Sequence, residues 1–100
     1  MQSQISKSVI FPHPIGIVLG AVSIGDNCMI LQNVTMGESS KKGLPTIGNN
    51  TSVYAGAVVG GGIVIGENCS VGANSVITKD IEPNSVVVGA NKIIRKNKAR

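Results

Sequence analysis

Along this chain an aliphatic residue or Met returns at every sixth position. The run is Val18, Ile24, Ile30 and Met36, then, after one interruption, Ile47, Val53, Val59, Ile65, Val71 and Ile77. The next position is often Gly (Gly25, Gly37, Gly48, Gly60, Gly66, Gly72), and the fourth after each aliphatic is small or branched (Cys28, Val34, Thr51, Ala57, Cys69, Ser75). A period of six fits neither the 3.6-residue helix nor the two-residue alternation of a lone strand. It predicts an all-β solenoid of hexapeptide repeats, each short strand stacked on the coil below, with three hexads to a turn and roughly four coils. The repeats span about residues 12–88 of a single domain, 1–100. The aliphatics are expected to point inward, at roughly 25 cal/mol per Å² of apolar surface removed from water. The repeat glycines are expected at the bends, where unusual backbone angles penalise a Cβ.

The interruption, Glu38–Thr46 (ESSKKGLPT), replaces the rhythm with polar, Lys, Gly and Pro residues and predicts a loop projecting from the prism. Its paired Lys41 and Lys42 suit an anionic ligand. Thirteen Gly, 42% hydrophobic residues and only 2% aromatics fit a narrow interior without room for rings. Cys28 and Cys69 fall on one interior ladder two coils apart, about 10 Å at the strand spacing and beyond the roughly 7 Å reach of a disulfide. They are expected to be buried small hydrophobes.

The net charge of +4 comes mainly from the C-terminal tail, positions 89–100, where Lys92, Arg95, Lys96, Lys98 and Arg100 lie. With two aromatics in the whole chain there is little for nucleic-acid bases to stack on. The tail is expected to cover the last coil's edge with charge. No long apolar run or leader-like segment is present, so no membrane insertion is expected and a cytoplasmic location is. A short solenoid has a marginal core and open ends, which favours oligomerisation.

The only histidine lies in Phe11-Pro12-His13-Pro14-Ile15-Gly16-Ile17-Val18-Leu19-Gly20, stiffened by a proline on each side. By hexad counting it takes the position just after a repeat start, the class of Leu31, Tyr54 and Gly72. Here HPIGIVLG, SIGDNCMILQNVTMG, PTIGNNTSVYAGAVVGG and IGENCSVGANSVITKDI together resemble the serine acetyltransferase branch of the hexapeptide acyltransferases, from about Phe11 to Val88. The specific parts are His-x-x-Gly-Ile-Val and Leu-Gln-x-Val-Thr-x-Gly. The resemblance implies a single-stranded left-handed parallel β-helix, a homotrimer, and acetyl-CoA as acyl donor in a groove between subunits. It implies His13 as the general base for transfer of acetyl to a hydroxyl of a small acceptor, L-serine or a sugar. It places Gly37, Ser39, Ala55 and Ala73 along the acetyl-CoA groove, and no metal.

The sequence departs from the serine enzymes at several points. The family's N-terminal helical domain and the carboxylate that orients its histidine would fall before Met1. Pro12 replaces an Asp, and Leu44 stands where the His of an Arg-His pair would be. These changes bear on recognition of the serine carboxylate and amine, and suit sugar-acetylating relatives. A non-catalytic or truncated β-helix scaffold is the alternative, since fold alone does not fix function. A zinc enzyme on the same fold needs three His ligands per site, against one His per chain here.

Overall fold

The computed structural model describes residues 4–37 and 43–96. The chain winds as a three-sided prism. Its first turn holds β1 (Gln4–Ile5) and β2 (Val18–Leu19). The second holds β3 (Ser23–Ile24), β4 (Met29–Ile30) and β5 (Thr35–Gly37), and the third β6 (Thr46–Ile47), β7 (Ser52–Val53) and β8 (Val58–Gly60). The fourth holds β9 (Val64–Ile65), β10 (Ser70–Val71) and β11 (Val76–Ile77), before β12 (Ser85–Val88) and β13 (Lys92–Lys96) close the end. No helix occurs among the described residues, so none is long and apolar enough to cross a membrane.

Every pairing is parallel except the last. The first face is β1-β3-β6-β9, the second β4-β7-β10-β12 and the third β2-β5-β8-β11. Within an uninterrupted turn the register advances by three hexads, as in Val53↔Val71 and Val58↔Val76. Three inward ladders result: Ile24, Ile47, Ile65 and Ile81; Ile30, Val53, Val71 and Val87; Leu19, Met36, Val59 and Ile77. All but the half-buried Leu19 are buried.

Cys28, Thr51, Cys69 and Ser85 form one interior corner ladder, as the spacing predicts. Both thiols are free and buried. They donate to Gly48 O at 3.1 Å and Glu82 O at 3.3 Å, and desolvation pushes both above the ordinary thiol range.

Four expectations are corrected. First, Val18 does not point inward. It pairs with Thr35 and is 59% exposed, while Leu19 stacks on Met36, because the corner between Leu19 and Ile24 is one residue shorter than a hexad allows.

Second, the glycines after the aliphatics do not hold left-handed backbone. Among the described residues positive φ falls on Asn27, Asn33, Asn50, Asn68, Asn74, Asn84 and Asn91, and on Gly16, Gly43, Gly56, Gly61 and Gly89. Asparagine tolerates that region because its short amide bonds locally. At Gly48 and Gly66 the glycine is needed for room: a Cβ on Gly48 would come 2.6 Å from Glu67 N, and one on Gly66 2.6 Å from Pro83 N.

Third, Pro45 and Thr46 belong to the prism, Pro45 buried with its carbonyl accepting from Ser23 N–H, and Thr46 opening β6. Glu38–Lys42, the heart of the expected loop, lies outside the described residues. Fourth, part of the basic tail is itself a strand. β13 runs antiparallel to β12, with a register shift between Val86 and Val87. It covers the edge that the last coil would otherwise leave open.

Candidate active site

The second and third faces meet at a corner built the same way in each turn. After the inward aliphatic come two residues, then one with positive φ: Leu31 and Gln32 before Asn33, Tyr54 and Ala55 before Gly56, Gly72 and Ala73 before Asn74. The φ values of Gly16, Asn33, Gly56 and Asn74 are 67°, 61°, 76° and 59°. Backbone bonds staple the stack: Asn33 N–H to Ile15 O at 2.9 Å, Gly56 N–H to Gln32 O at 3.0 Å, Asn74 N–H to Ala55 O at 2.9 Å.

His13 sits where this pattern is broken. Ile10 bridges Met29, so Phe11 lies above Ile30 and Pro12 above Leu31. The chain then needs four residues, Pro12 to Ile15, to reach Gly16, where the turns below need two. His13 and Pro14 are the excess, so His13 is not of the Leu31 class as hexad counting had it. The reason is a corner bulge that the prolines stiffen. His13 is exposed, and its carbonyl accepts from Ile15 N–H at 2.7 Å, closing a tight turn. The Gly of His-x-x-Gly is thereby explained: Gly16 has positive φ, and a Cβ there would run into the Asn33 amide.

Ala55, half-buried, and Ala73, exposed, lie on the ladder of this same corner, below Ile15 and Gln32. Gly37 lies on the opposite edge of the third face, paired with Gly60, with Gly20 above it. One chain therefore brings His13, Ala55 and Ala73 to one corner and Gly37 to another. Ser39, Lys41 and Lys42 lie outside the described residues.

Sequence reasoning did not single out Gln32. Its Oε1 and the Oγ of Ser75 are the buried side-chain polar atoms without a hydrogen-bond partner among the described residues. Both belong to the corner of His13. A buried acceptor left unpaired is costly and calls for a partner, water or ligand. The signal was the Leu-Gln-x-Val-Thr-x-Gly motif, read as a family mark rather than residue by residue. No group of His, Cys, Asp or Glu among the described residues is arranged to hold a metal ion.

Residues 45–79 match the family described as bacterial transferase hexapeptide (six repeats). The class is thereby defined: an all-β, left-handed parallel β-helix of hexapeptide repeats. Within it, the chain is similar to serine acetyltransferases. It is 42% identical to the serine acetyltransferase of Synechococcus elongatus over 91 residues, which cover 87% of this chain and 37% of that one. It superposes on Neisseria gonorrhoeae serine acetyltransferase with a TM-score of 0.91 at 33% identity, covering 98% of this chain and 40% of that one. A serine acetyltransferase solved in complex with CoA gives 0.85 at 30% identity, covering 92% and 39%. The chain spans about two fifths of the relatives it matches.

Proposed function

We propose that this chain is the catalytic β-helix of an acetyl-CoA-dependent O-acetyltransferase, with His13 as general base and a small hydroxyl acceptor of the L-serine kind. The observation that carries the reading is the two-residue bulge at the corner of Ala55 and Ala73, which lifts His13 out of the repeat on a proline-stiffened turn. A solvated imidazole on the same corner as Ala55 and Ala73, whose side chains are single methyl groups, is what direct transfer from a thioester along that corner requires.

In this reading neutral His13 takes the proton of the acceptor hydroxyl as its oxygen attacks the thioester carbonyl. The tetrahedral oxyanion is held by backbone N–H groups of the groove. It collapses with cleavage of the carbon–sulfur bond, and the imidazolium returns the proton to the CoA thiolate. The products are the O-acetyl ester and the free thiol.

The cofactor groove is shared between copies in a cyclic homotrimer. Its two expected walls, Ala55 with Ala73 and Gly37, lie on opposite edges of the third face, so a groove containing both takes one edge from each of two chains. The outward ladder of that face supports burial between copies: Val18, Val58 and Val76 are 59%, 40% and 45% exposed. Such head-to-tail contacts between unlike edges generate a closed ring when the rotation between copies closes.

The test is thiol release from acetyl-CoA against L-serine, other amino acids and simple sugars. Acceptor-dependent release is expected, strongest with L-serine. No release with any acceptor, at protein concentrations where the trimer is shown by sedimentation, would return the chain to a non-catalytic scaffold.

A further inference from the structure

The position after the inward aliphatic is not equivalent on the three corners. Below the first face it reads Gly25, Gly48, Gly66 and Glu82, and below the third Gly20, Gly37, Gly60 and Thr78. At the His13 corner it reads Pro12, Leu31, Tyr54, Gly72 and Val88. Bulk is thus concentrated on the one corner proposed to bind the acyl donor, and there the sequence passes from the largest side chain to none in a single step.

Tyr54 is 41% exposed and precedes Ala55 in the chain. Directly below it stands Gly72, with Val88 of the next coil packed into the space a side chain there would take: a Cβ at Gly72 would meet Val88 Cγ1 at 2.9 Å. Ala73, next to Gly72, carries only a methyl group. Tyr54 is therefore followed down the corner by glycine and alanine, with Val88 packed against the glycine.

Such a step binds an extended, flat-jointed chain well. Amide groups and methylenes lie against an aromatic face, which is apolar in area and electron-rich at its centre. Below it, Gly72 and Ala73 put no large side chain of their own in the way. Tyr54 lies two coils below His13, about 10 Å along the axis at the strand spacing. An acyl group at His13 thus puts Tyr54 beside the thiol-bearing arm, well short of a nucleotide at its far end.

Resting on the acetyl-CoA reading above, we propose that Tyr54 is a donor-recognition residue, its ring packing on the pantetheine arm where the corner steps down to Gly72 and Ala73. Tyr54 touches the donor but no reacting atom, so it sets affinity and not the chemical step.

The chain carries its own reporter for this contact. It has one Tyr and no Trp, so its near-ultraviolet emission is that of Tyr54. Pantetheine, which lacks the absorbing adenine, is titrated while tyrosine emission is followed; CoA and adenosine 3′,5′-bisphosphate are titrated by calorimetry. Tyr54→Leu repeats the side chain of Leu31 one coil above, and its fold is checked by circular dichroism and melting.

The expected results are a saturable change of emission with pantetheine and about tenfold weaker CoA binding by a folded Tyr54→Leu. The KM for acetyl-CoA should rise by the same factor, with kcat within about twofold. Affinity for adenosine bisphosphate should be unchanged. CoA binding that leaves the emission constant and is equal in both proteins overturns the role of Tyr54 while leaving the acetyltransferase reading intact. Absence of CoA binding to wild type overturns both.

Discussion

Gly16 lies directly above Asn33, and both hold left-handed backbone, with φ of 67° and 61°. This contact ties the His13 bulge to the regular prism. It separates two costs of a methyl group on a glycine. Gly89, at φ 57°, has nothing within 4 Å of a built Cβ, so Gly89→Ala carries the conformational cost alone, about 1–2 kcal/mol. Gly16→Ala adds displacement of the Asn33 amide and should cost more. Gly48→Ala, with ordinary φ but backbone in the way at 2.6 Å, should fall toward the upper end of about 1–3 kcal/mol. Urea midpoints of the three variants check this order, and equal losses at positions 16 and 89 would dissolve the role given to Asn33.

His13→Ala should lower turnover by about two to four orders of magnitude. Binding of CoA and assembly should stay as in wild type, because the ring is exposed and its backbone carbonyl makes the turn. Steady-state rates with calorimetric CoA binding decide it; undiminished turnover in the variant would make His13 a surface residue.

Val58→Asp puts a charge in the middle of the outward ladder of the third face, between Thr35 and Val76. Since Val58 is 40% exposed in the single chain, the fold should survive while assembly does not. Sedimentation should then give monomers that retain the strand spectrum and have lost thiol release. Unchanged sedimentation would place the interface elsewhere.

Stability should fall as pH rises from the ordinary thiol range, about 8.5. Burial raises the pKa of Cys28 and Cys69 in the folded chain. Below the ordinary value both states hold both protons and the contribution is whole. Above it the unfolded chain releases them first, which favours unfolding. Paired Cys28→Ser and Cys69→Ser substitutions remove the ionisation while a hydroxyl can still donate to Gly48 O and Glu82 O, as Ser85 does to Glu82 O at 2.8 Å. Melting curves from pH 7 to 10 should slope less for the double variant than for wild type.

Removing β13 should hurt solubility more than cutting its ion pair. The Lys96–Glu82 pair, 2.5 Å apart, joins side chains 51% and 64% exposed, so Lys96→Ala should cost no more than about 1 kcal/mol. Deleting residues 92–100 uncovers the edge of β12 and should produce concentration-dependent association. Light scattering distinguishes the two variants.

Most of the prism was legible because its interior admits one side-chain class per position. Ile24, Ile30 and Met36, then Ile47 to Ile77, stand where the period of six puts them, and the cysteine ladder follows from counting turns. The period failed where a corner changes length. It was carried through Val18 although Leu19 fills that place, and through His13 although His13 and Pro14 are extra, since backbone bulges leave no mark in a hydrophobic rhythm. The repeat glycines were read for backbone freedom, whereas at Gly48 and Gly66 the closeness of the next coil is what requires them; the asparagines that hold the left-handed positions were not singled out. Antiparallel pairing of β13 was hidden because Lys92–Lys96 reads as charge before it reads as strand.

Because Val53 stacks on Val71 and Val58 on Val76 with nothing left over, one turn of the wall is a self-contained brick. An in-frame copy of such a turn inserted between β7 and β10 would find matching ladders above and below and lengthen the wall by one course. The same copy placed after β12 would meet β13, whose reversed direction offers no parallel ladder to continue. Growth by duplication is thus open to the middle of this molecule and closed at its C-terminal end, so differences in height between such walls should arise from internal courses.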